Sequence, residues 1–208
     1  MKRASLIMLL VVSLVLSICV SPKSVSAGSS NKVLLIARET IYSANKQYMN
    51  TKEPFVMKSI LEEAGFKVVI ASASGRTFIH GDIILESDLK LGEVKASSYV
   101  GFIIPCMNTT SSTFKPEEVA IAKQVVAEGK PVAAQRWGVV MLAQAGVLAD
   151  KRYSYGSKGH DLRFNDAIYS GKGVVQDGNI ITSTYCPFFG PQDQTVELTK
   201  ALIAELQK

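Results

Sequence analysis

Cysteine and histidine are scarce in this sequence, which has three cysteines and two histidines among its 208 residues. Beyond the N-terminal segment only Cys106 and Cys186 remain, and they lack the C-x-x-C spacing that is typical of zinc sites and redox motifs. From this spacing we expect no metal site and no cofactor. Internal repeats and low-complexity linkers are also missing, and the composition excludes collagen, coiled-coil and disordered chains.

The N-terminal residues are typical of a secretory signal. Two basic residues precede an uncharged apolar run over 6–20, and small residues follow up to Ala27. We expect cleavage near Ala27, which leaves 28–208 as a single domain exported to the periplasm or the extracellular space. An uncleaved anchor is the alternative, although the run is short for a helix that spans a membrane. Contact with a membrane is therefore expected only during export of the chain with its signal peptide, residues 1–27.

Positive charge is concentrated in this signal. The full chain has a formal net charge of +5, and removal of Lys2, Arg3 and Lys23 with the signal lowers the net charge by three, to +2. No basic cluster remains in the mature chain that would indicate a nucleic-acid partner.

Apolar β-rich runs alternate with helical segments through the rest of the chain. The pattern predicts strands at 32–37, 66–72, 99–105 and 131–134, helices at 54–65, 115–129, 138–146 and 194–206, and a hairpin at 173–183. This order is typical of a three-layer α/β/α sandwich with a mostly parallel sheet. Such folds place their sites beyond the carboxyl ends of the strands. The segments expected to meet there are 38–53, 105–113, 135–138 and 184–193.

One of these segments is a sharp turn from a strand into a helix. The sequence KPVAAQRWGVVMLAQAG, residues 130–146, predicts a buried strand, a turn at 135–138 and a helix. Several enzyme folds expose a nucleophile at such a turn. Here Arg136 takes that place, and a guanidinium is never deprotonated in a protein and cannot act as a nucleophile.

Four stretches in this order resemble the ThiJ/PfpI family of the class I glutamine amidotransferase-like superfamily, which includes the Parkinson-disease deglycase and the PfpI protease. They are ILEEAGFKVVIAS, SDLKLGEVKASSYVGFIIP, GKPVAAQRWGVVMLAQAGVL and VVQDGNIITS. The resemblance covers residues 32–206 and implies a flavodoxin-like sheet and a homodimer. It also implies a cysteine on the turn and a glutamate on the first helix that contacts this cysteine. Gly138 matches the family glycine, which places Arg136 at the cysteine position. Counting back from Gly65 at the end of the helix places Glu53, at the start of the helix, at the glutamate position.

The resemblance fails at two further points. Family members carry Gly-Gly after the third strand to line an oxyanion hole, where this chain has Cys106 and Met107. The family histidine has no clean match, although His160 lies a few residues later than expected. Arg136 either forms an ion pair with Glu53 or holds an anionic ligand such as a carboxylate.

Three hypotheses for function remain open at this point. The first is an exported ThiJ/PfpI-like domain without cysteine-hydrolase activity, which binds a small, anionic ligand. Its pocket would be lined by Glu53, Cys106, Met107, Arg136 and Trp137, with Trp137 as a wall or at a subunit contact. The second is an amidase or deglycase in which Cys106 is a relocated nucleophile, served by Glu53 or His160. The third is a redox-responsive protein in which Cys106 and Cys186 form a disulfide, which an oxidising compartment permits.

Overall fold

A central, mostly parallel sheet organises the chain. The computed structural model describes residues 31–37, 44–80, 82–106, 114–157 and 162–208. The strands are β1 (Lys32–Ile36), β2 (Lys67–Ser72), β3 (Phe78–His80), β4 (Ile83–Leu85), β5 (Leu89–Lys90), β6 (Gly101–Ile104), β7 (Val132–Gln135), β8 (Arg152–Tyr153), β9 (Ile168–Tyr169), β10 (Val174–Asp177) and β11 (Ile180–Ser183). Seven of them form one sheet in the order β10-β11-β7-β6-β1-β2-β5, and β10–β11 is its antiparallel pair. The expected sheet and hairpin are confirmed.

Helices cover both faces of the sheet. They are α1 (Ala44–Glu63), α2 (Pro116–Ala127), α3 (Trp137–Gln144) and α4 (Thr195–Leu206). Alternate residues of β1 point to opposite faces: Val33 and Leu35 pack in a cluster with α1 and α4, whereas Leu34 and Ile36 pack with α2 and α3. This confirms the three-layer sandwich. Within the described ranges, none of the helices combines the length and apolar character that a membrane crossing requires.

The first helix begins ten residues earlier than predicted. Pro54 indicated the first turn of a helix, but α1 begins at Ala44 and Pro54 lies inside it. A proline there cannot donate a hydrogen bond to the carbonyl of residue 50, and the helix continues on both sides of this gap. The prediction that Glu53 starts the helix is therefore wrong. Glu53 lies in the middle of α1, where it is nearly fully buried.

The described segments that follow β6, β7 and β11 meet at one edge of the sheet. Because these strands are parallel neighbours, their carboxyl ends are close together. The middle of α1 lies over this edge and contacts the chain just after β6. The predicted segments 38–43 and 107–113 lie outside the described residues.

Candidate functional site

The turn between β7 and α3 has an unusual backbone. Arg136 adopts φ 47° and ψ −107°, a conformation that residues other than glycine rarely take. The Arg136 N–H donates to the Ser183 carbonyl at 2.9 Å, and the Val139 N–H donates to the Arg136 carbonyl at 3.0 Å. These bonds fix a sharp change of direction at this residue. We call residues 135–138 the elbow.

A glycine lets the elbow approach the neighbouring strand. A Cβ placed on Gly138 would lie 2.6 Å from the Ile104 carbonyl oxygen and 2.9 Å from that of Pro105. Because real Cβ atoms do not approach backbone oxygens so closely, α3 packs against the end of β6 only with glycine here. The elbow amides are thereby brought beside Cys106, which follows β6.

Aromatic rings hold the side chain of Arg136. Its guanidinium carbon lies 5.1 Å from the ring centroid of Tyr155 and 5.0 Å from that of Phe189. A Cβ on Gly156 would collide with the same guanidinium, so this glycine leaves the space that the arginine fills. Such cation–π contacts stabilise a cation without neutralising its charge.

The expected ion pair between Arg136 and Glu53 is wrong. Both residues lie in the described part of the chain, and no ion pair joins them. Instead, Oε1 of Glu53 accepts a hydrogen bond from the Cys106 N–H at 2.8 Å. Burial raises the pKa of the Glu53 carboxyl well above its usual range, the charge of Cys186 adds to this shift, and the Cys106 N–H opposes it.

Glu53, Cys106 and Cys186 form a buried group that we call the acid–thiol cluster. Their exposed fractions are 2%, 4% and 3%, and both cysteines are free thiols in this structure. A carboxylate oxygen and the two sulfur atoms all lie within 4.8 Å of one another. The carboxyl side chain and the two thiols thus come from α1, from the chain after β6 and from the chain after β11.

The two thiols have opposite electrostatic environments. Burial raises the pKa of Cys106, and the hydrogen bond that its S–H donates to Cys186 raises it further. The same bond lowers the pKa of Cys186, and so do the Phe188 N–H and the charge of Arg136. Of the two thiols, Cys186 is therefore the one that loses its proton more readily. The charge of Arg136 thus acts on Cys186, and Arg136 is not among the groups that shift the pKa of Cys106.

Known families and proteins resemble this chain. A model of the DJ-1/PfpI family matches residues 39–189, most of the described sandwich and the whole elbow. This chain belongs to the DJ-1/PfpI family. An uncharacterized protein of Archaeoglobus fulgidus is 32% identical over 126 residues, which are 59% of this chain and 75% of that relative. An uncharacterized protein of Methanocaldococcus jannaschii is 26% identical across 97% of this chain and 98% of its own length.

Solved structures share the fold of this DJ-1/PfpI protein. A ThiJ/PfpI domain protein from Brachyspira murdochii superposes with a TM-score of 0.69, at 21% identity over 86% of this chain and 98% of the other. DJ-1beta of Drosophila melanogaster gives a TM-score of 0.64, at 22% identity over 85% and 90%. At these identities the likeness shows the fold and not the chemistry.

The fold of this DJ-1/PfpI domain brings together several of the predicted site residues. Glu53, Cys106, Arg136 and Cys186 lie at the same edge of the sheet. The Trp137 N–H lowers the pKa of Cys106, while the Trp137 side chain packs against the core cluster with α2 and α3. The remaining predicted residues, Met107 and His160, lie outside the described part of the chain.

Sequence reasoning missed the residues that position the segment after β11. The Gln135 side-chain N–H donates to the Tyr185 carbonyl, and the Thr195 hydroxyl donates to Asp193 Oδ1 at 2.6 Å. Gln194 Oε1 accepts the N–H groups of both Thr184 and Tyr185. Gln135 carried a signal, since a polar residue ends a buried strand there.

Proposed function

We propose that this DJ-1/PfpI protein is an exported binding domain that lacks the family's cysteine-hydrolase activity and holds a small anionic ligand with Arg136. One observation carries the proposal. Arg136 lies at the elbow in the strained conformation that α/β hydrolases use to expose a nucleophile, followed two residues later by a glycine that the packing requires. The resemblance implies cysteine at this position, and arginine cannot replace its chemistry.

The surroundings of the guanidinium support an anionic ligand. Two rings contact Arg136, and no carboxylate among the described residues pairs with it. Contact with the rings leaves the N–H groups along the edge of the guanidinium as donors, and this edge matches a carboxylate with two parallel hydrogen bonds. The start of α3 adds a favourable field for negative charge.

Titration with small carboxylates tests the binding role. Acetate, succinate and citrate are added separately, and the fluorescence of Trp137, the single tryptophan of the chain, reports binding beside Arg136. The wild-type protein should bind at least one of them. Arg136→Met should weaken this binding about 10-fold or more, because a hydrogen bond to a charged group contributes about 1.5–3 kcal/mol.

A matched variant controls for the loss of a surface charge. Arg152 is 60% exposed in its side chain and pairs with Asp177, so Arg152→Met should leave the carboxylate affinity unchanged. Binding that is equal in wild type and Arg136→Met, or absent for all three carboxylates, would contradict the binding role.

The loss of hydrolase activity has its own test. Amide and aldehyde-adduct substrates of the family should show no turnover above that of a Cys106→Ser, Cys186→Ser double variant. Turnover that disappears in this double variant would instead support the enzyme with a relocated thiol, and the lowered pKa of Cys186 would favour Cys186 over Cys106 as its nucleophile.

Export and dimer formation complete the proposal. N-terminal sequencing of the protein recovered from outside the cytoplasm should begin near residue 28. Light scattering should give twice the mass of the mature chain. A monomeric mass, or a retained N-terminal segment in the recovered protein, would contradict these two parts separately.

A further inference from the structure

The acid–thiol cluster has the composition of a metal site. Its three side chains come from segments that are far apart in sequence, yet a carboxylate oxygen and two sulfur atoms converge within 4.8 Å. Each of the three residues is at least 96% buried. Burial of three such groups is costly when they ionise, because each charged form loses its hydration, and a shared cation would compensate this loss.

We propose that Glu53, Cys106 and Cys186 bind a thiophilic divalent cation of the zinc type. Thiolate sulfur lies about 2.3 Å from zinc and a carboxylate oxygen about 2.0–2.2 Å, so two sulfurs on one tetrahedral ion are about 3.8 Å apart. Because all three separations lie within 4.8 Å, they would contract by at most about 1.2 Å on binding. Binding releases to solvent the protons that the two thiols and the Glu53 carboxyl hold, and it leaves three protein ligands around the ion, with a fourth position for water or an exogenous ligand.

Charge balance supports this assignment. Two thiolates and one carboxylate on a divalent ion leave one net negative charge, and the adjacent Arg136 guanidinium, which acts on Cys186, carries one positive charge. Without the ion, the ionisation of each of these three buried groups is opposed by the negative charges of the other two. With the divalent ion bound and Arg136 beside it, the fully ionised cluster has no net charge.

Backbone donors already orient the ligands. The Cys106 N–H donates to Glu53 Oε1 at 2.8 Å, and the N–H groups of Trp137 and Phe188 lower the pKa of Cys106 and of Cys186 respectively. Such second contacts fix the direction of ligand lone pairs, and losing one typically lowers metal affinity about 10–100-fold.

Cobalt substitution gives a direct test. The protein is reduced with a phosphine, freed of metal by a chelator, and titrated with Co²⁺ and then with competing Zn²⁺. The expected result is one ion per chain, a thiolate-to-cobalt charge-transfer band in the near ultraviolet, and loss of this band as Zn²⁺ replaces Co²⁺. Absence of the band, or saturation at several ions per chain, overturns the proposal.

Matched variants locate the site. Cys106→Ser and Cys186→Ser should each weaken Zn²⁺ binding more than about 10-fold and reduce the charge-transfer intensity. Glu53→Gln should also weaken binding. Glu118→Gln should not, although Glu118 is equally buried and likewise accepts a backbone N–H, at 2.7 Å. Equal affinities in Glu53→Gln and Glu118→Gln would remove Glu53 from the site.

A second measurement uses the wild-type protein alone. Zn²⁺ should protect both Cys106 and Cys186 from maleimide alkylation, measured by mass spectrometry of peptides. Alkylation at the same rate with and without Zn²⁺ overturns the proposal even if the serine variants fail to fold. Arg136→Met separates this site from the anion site, because it should lose carboxylate binding yet retain the cobalt band.

Discussion

Strain at the elbow predicts an unusual order of stability for two substitutions of Arg136. Arg136→Ala removes two ring contacts worth about 0.5–1 kcal/mol each and keeps the positive φ, so it should destabilise the domain by about 1–2 kcal/mol. Arg136→Gly loses the same contacts, but it also relieves backbone strain of about 1–3 kcal/mol. Glycine costs about 0.4–1 kcal/mol through the entropy of the unfolded chain. The glycine variant should therefore be about 1 kcal/mol more stable than the alanine variant.

Urea unfolding followed by far-ultraviolet circular dichroism measures this difference, which corresponds to about 2–4 °C in melting temperature. Arg152 in β8 provides the control, since its φ is not positive. There the order should reverse, with Arg152→Gly less stable than Arg152→Ala by about 0.5–1 kcal/mol. The same order at both positions would refute the idea that the elbow is strained.

Three further predictions concern the site. Gly156→Ala should displace the Arg136 guanidinium and lower carboxylate affinity by about the same factor as Arg136→Met, whereas Gly92→Ala, where a Cβ meets no atom within 4 Å and φ is not positive, should leave the affinity unchanged. Because the folded-state pKa of Glu53 is raised above its unfolded value of 4.5, its contribution to stability is complete below that pH and is lost as pH rises towards the folded-state pKa. The destabilisation caused by Glu53→Gln should consequently shrink as pH rises above 4.5 in denaturation curves, and a constant difference would contradict this sign. Incubation with glutathione disulfide should join Cys106 and Cys186, since the Cys186 thiolate attacks the disulfide and Cys106 then displaces glutathione; peptide mapping that finds two separate mixed disulfides would refute this.

The sandwich was predictable because each buried strand has a recognisable pattern of apolar residues in its own sequence. Runs such as Val33–Ile36 are apolar at every position, as expected for strands covered on both faces. In the helices that follow, apolar residues recur at helical spacing instead. The start of α1 was not predictable in this way. Pro54 is favoured at a first turn but is tolerated inside a helix whose remaining hydrogen bonds persist.

The site was predictable only to the level of the sheet edge. Strand ends identified Cys106, Arg136 and the segment of Cys186, because parallel strands finish together. Their partners follow from packing, which has no local signal. Charge complementarity alone would pair Arg136 with Glu53. In the fold, Glu53 instead accepts a hydrogen bond from a backbone N–H, and rings from two other segments surround the arginine.

The same limit explains why spacing gave no metal site. Cys106 and Cys186 follow strands that flank β7, so their thiols meet over its end although eighty residues separate them. C-x-x-C patterns detect ligands that share a turn, but they cannot detect distant ligands that meet because their strands are neighbours in the sheet. Strand ends identified Cys106 and Cys186 and the resemblance identified Glu53, but the meeting of all three side chains followed only from the fold.

The charged groups at this edge of the sheet stand at other positions than the resemblance implies. The resemblance implies a thiolate at the elbow, and the chain has a guanidinium there, with the lowered thiol pKa at Cys186 in the adjacent segment. Phe189 of that segment covers the guanidinium, and the Gln135 side chain holds the segment to the elbow. Because one short segment supplies both the ring and the thiolate, the arginine and the acid–thiol cluster depend on the same backbone. A cation in the cluster would offset most of the negative charge beside Arg136, so the two proposed sites are compatible within one domain.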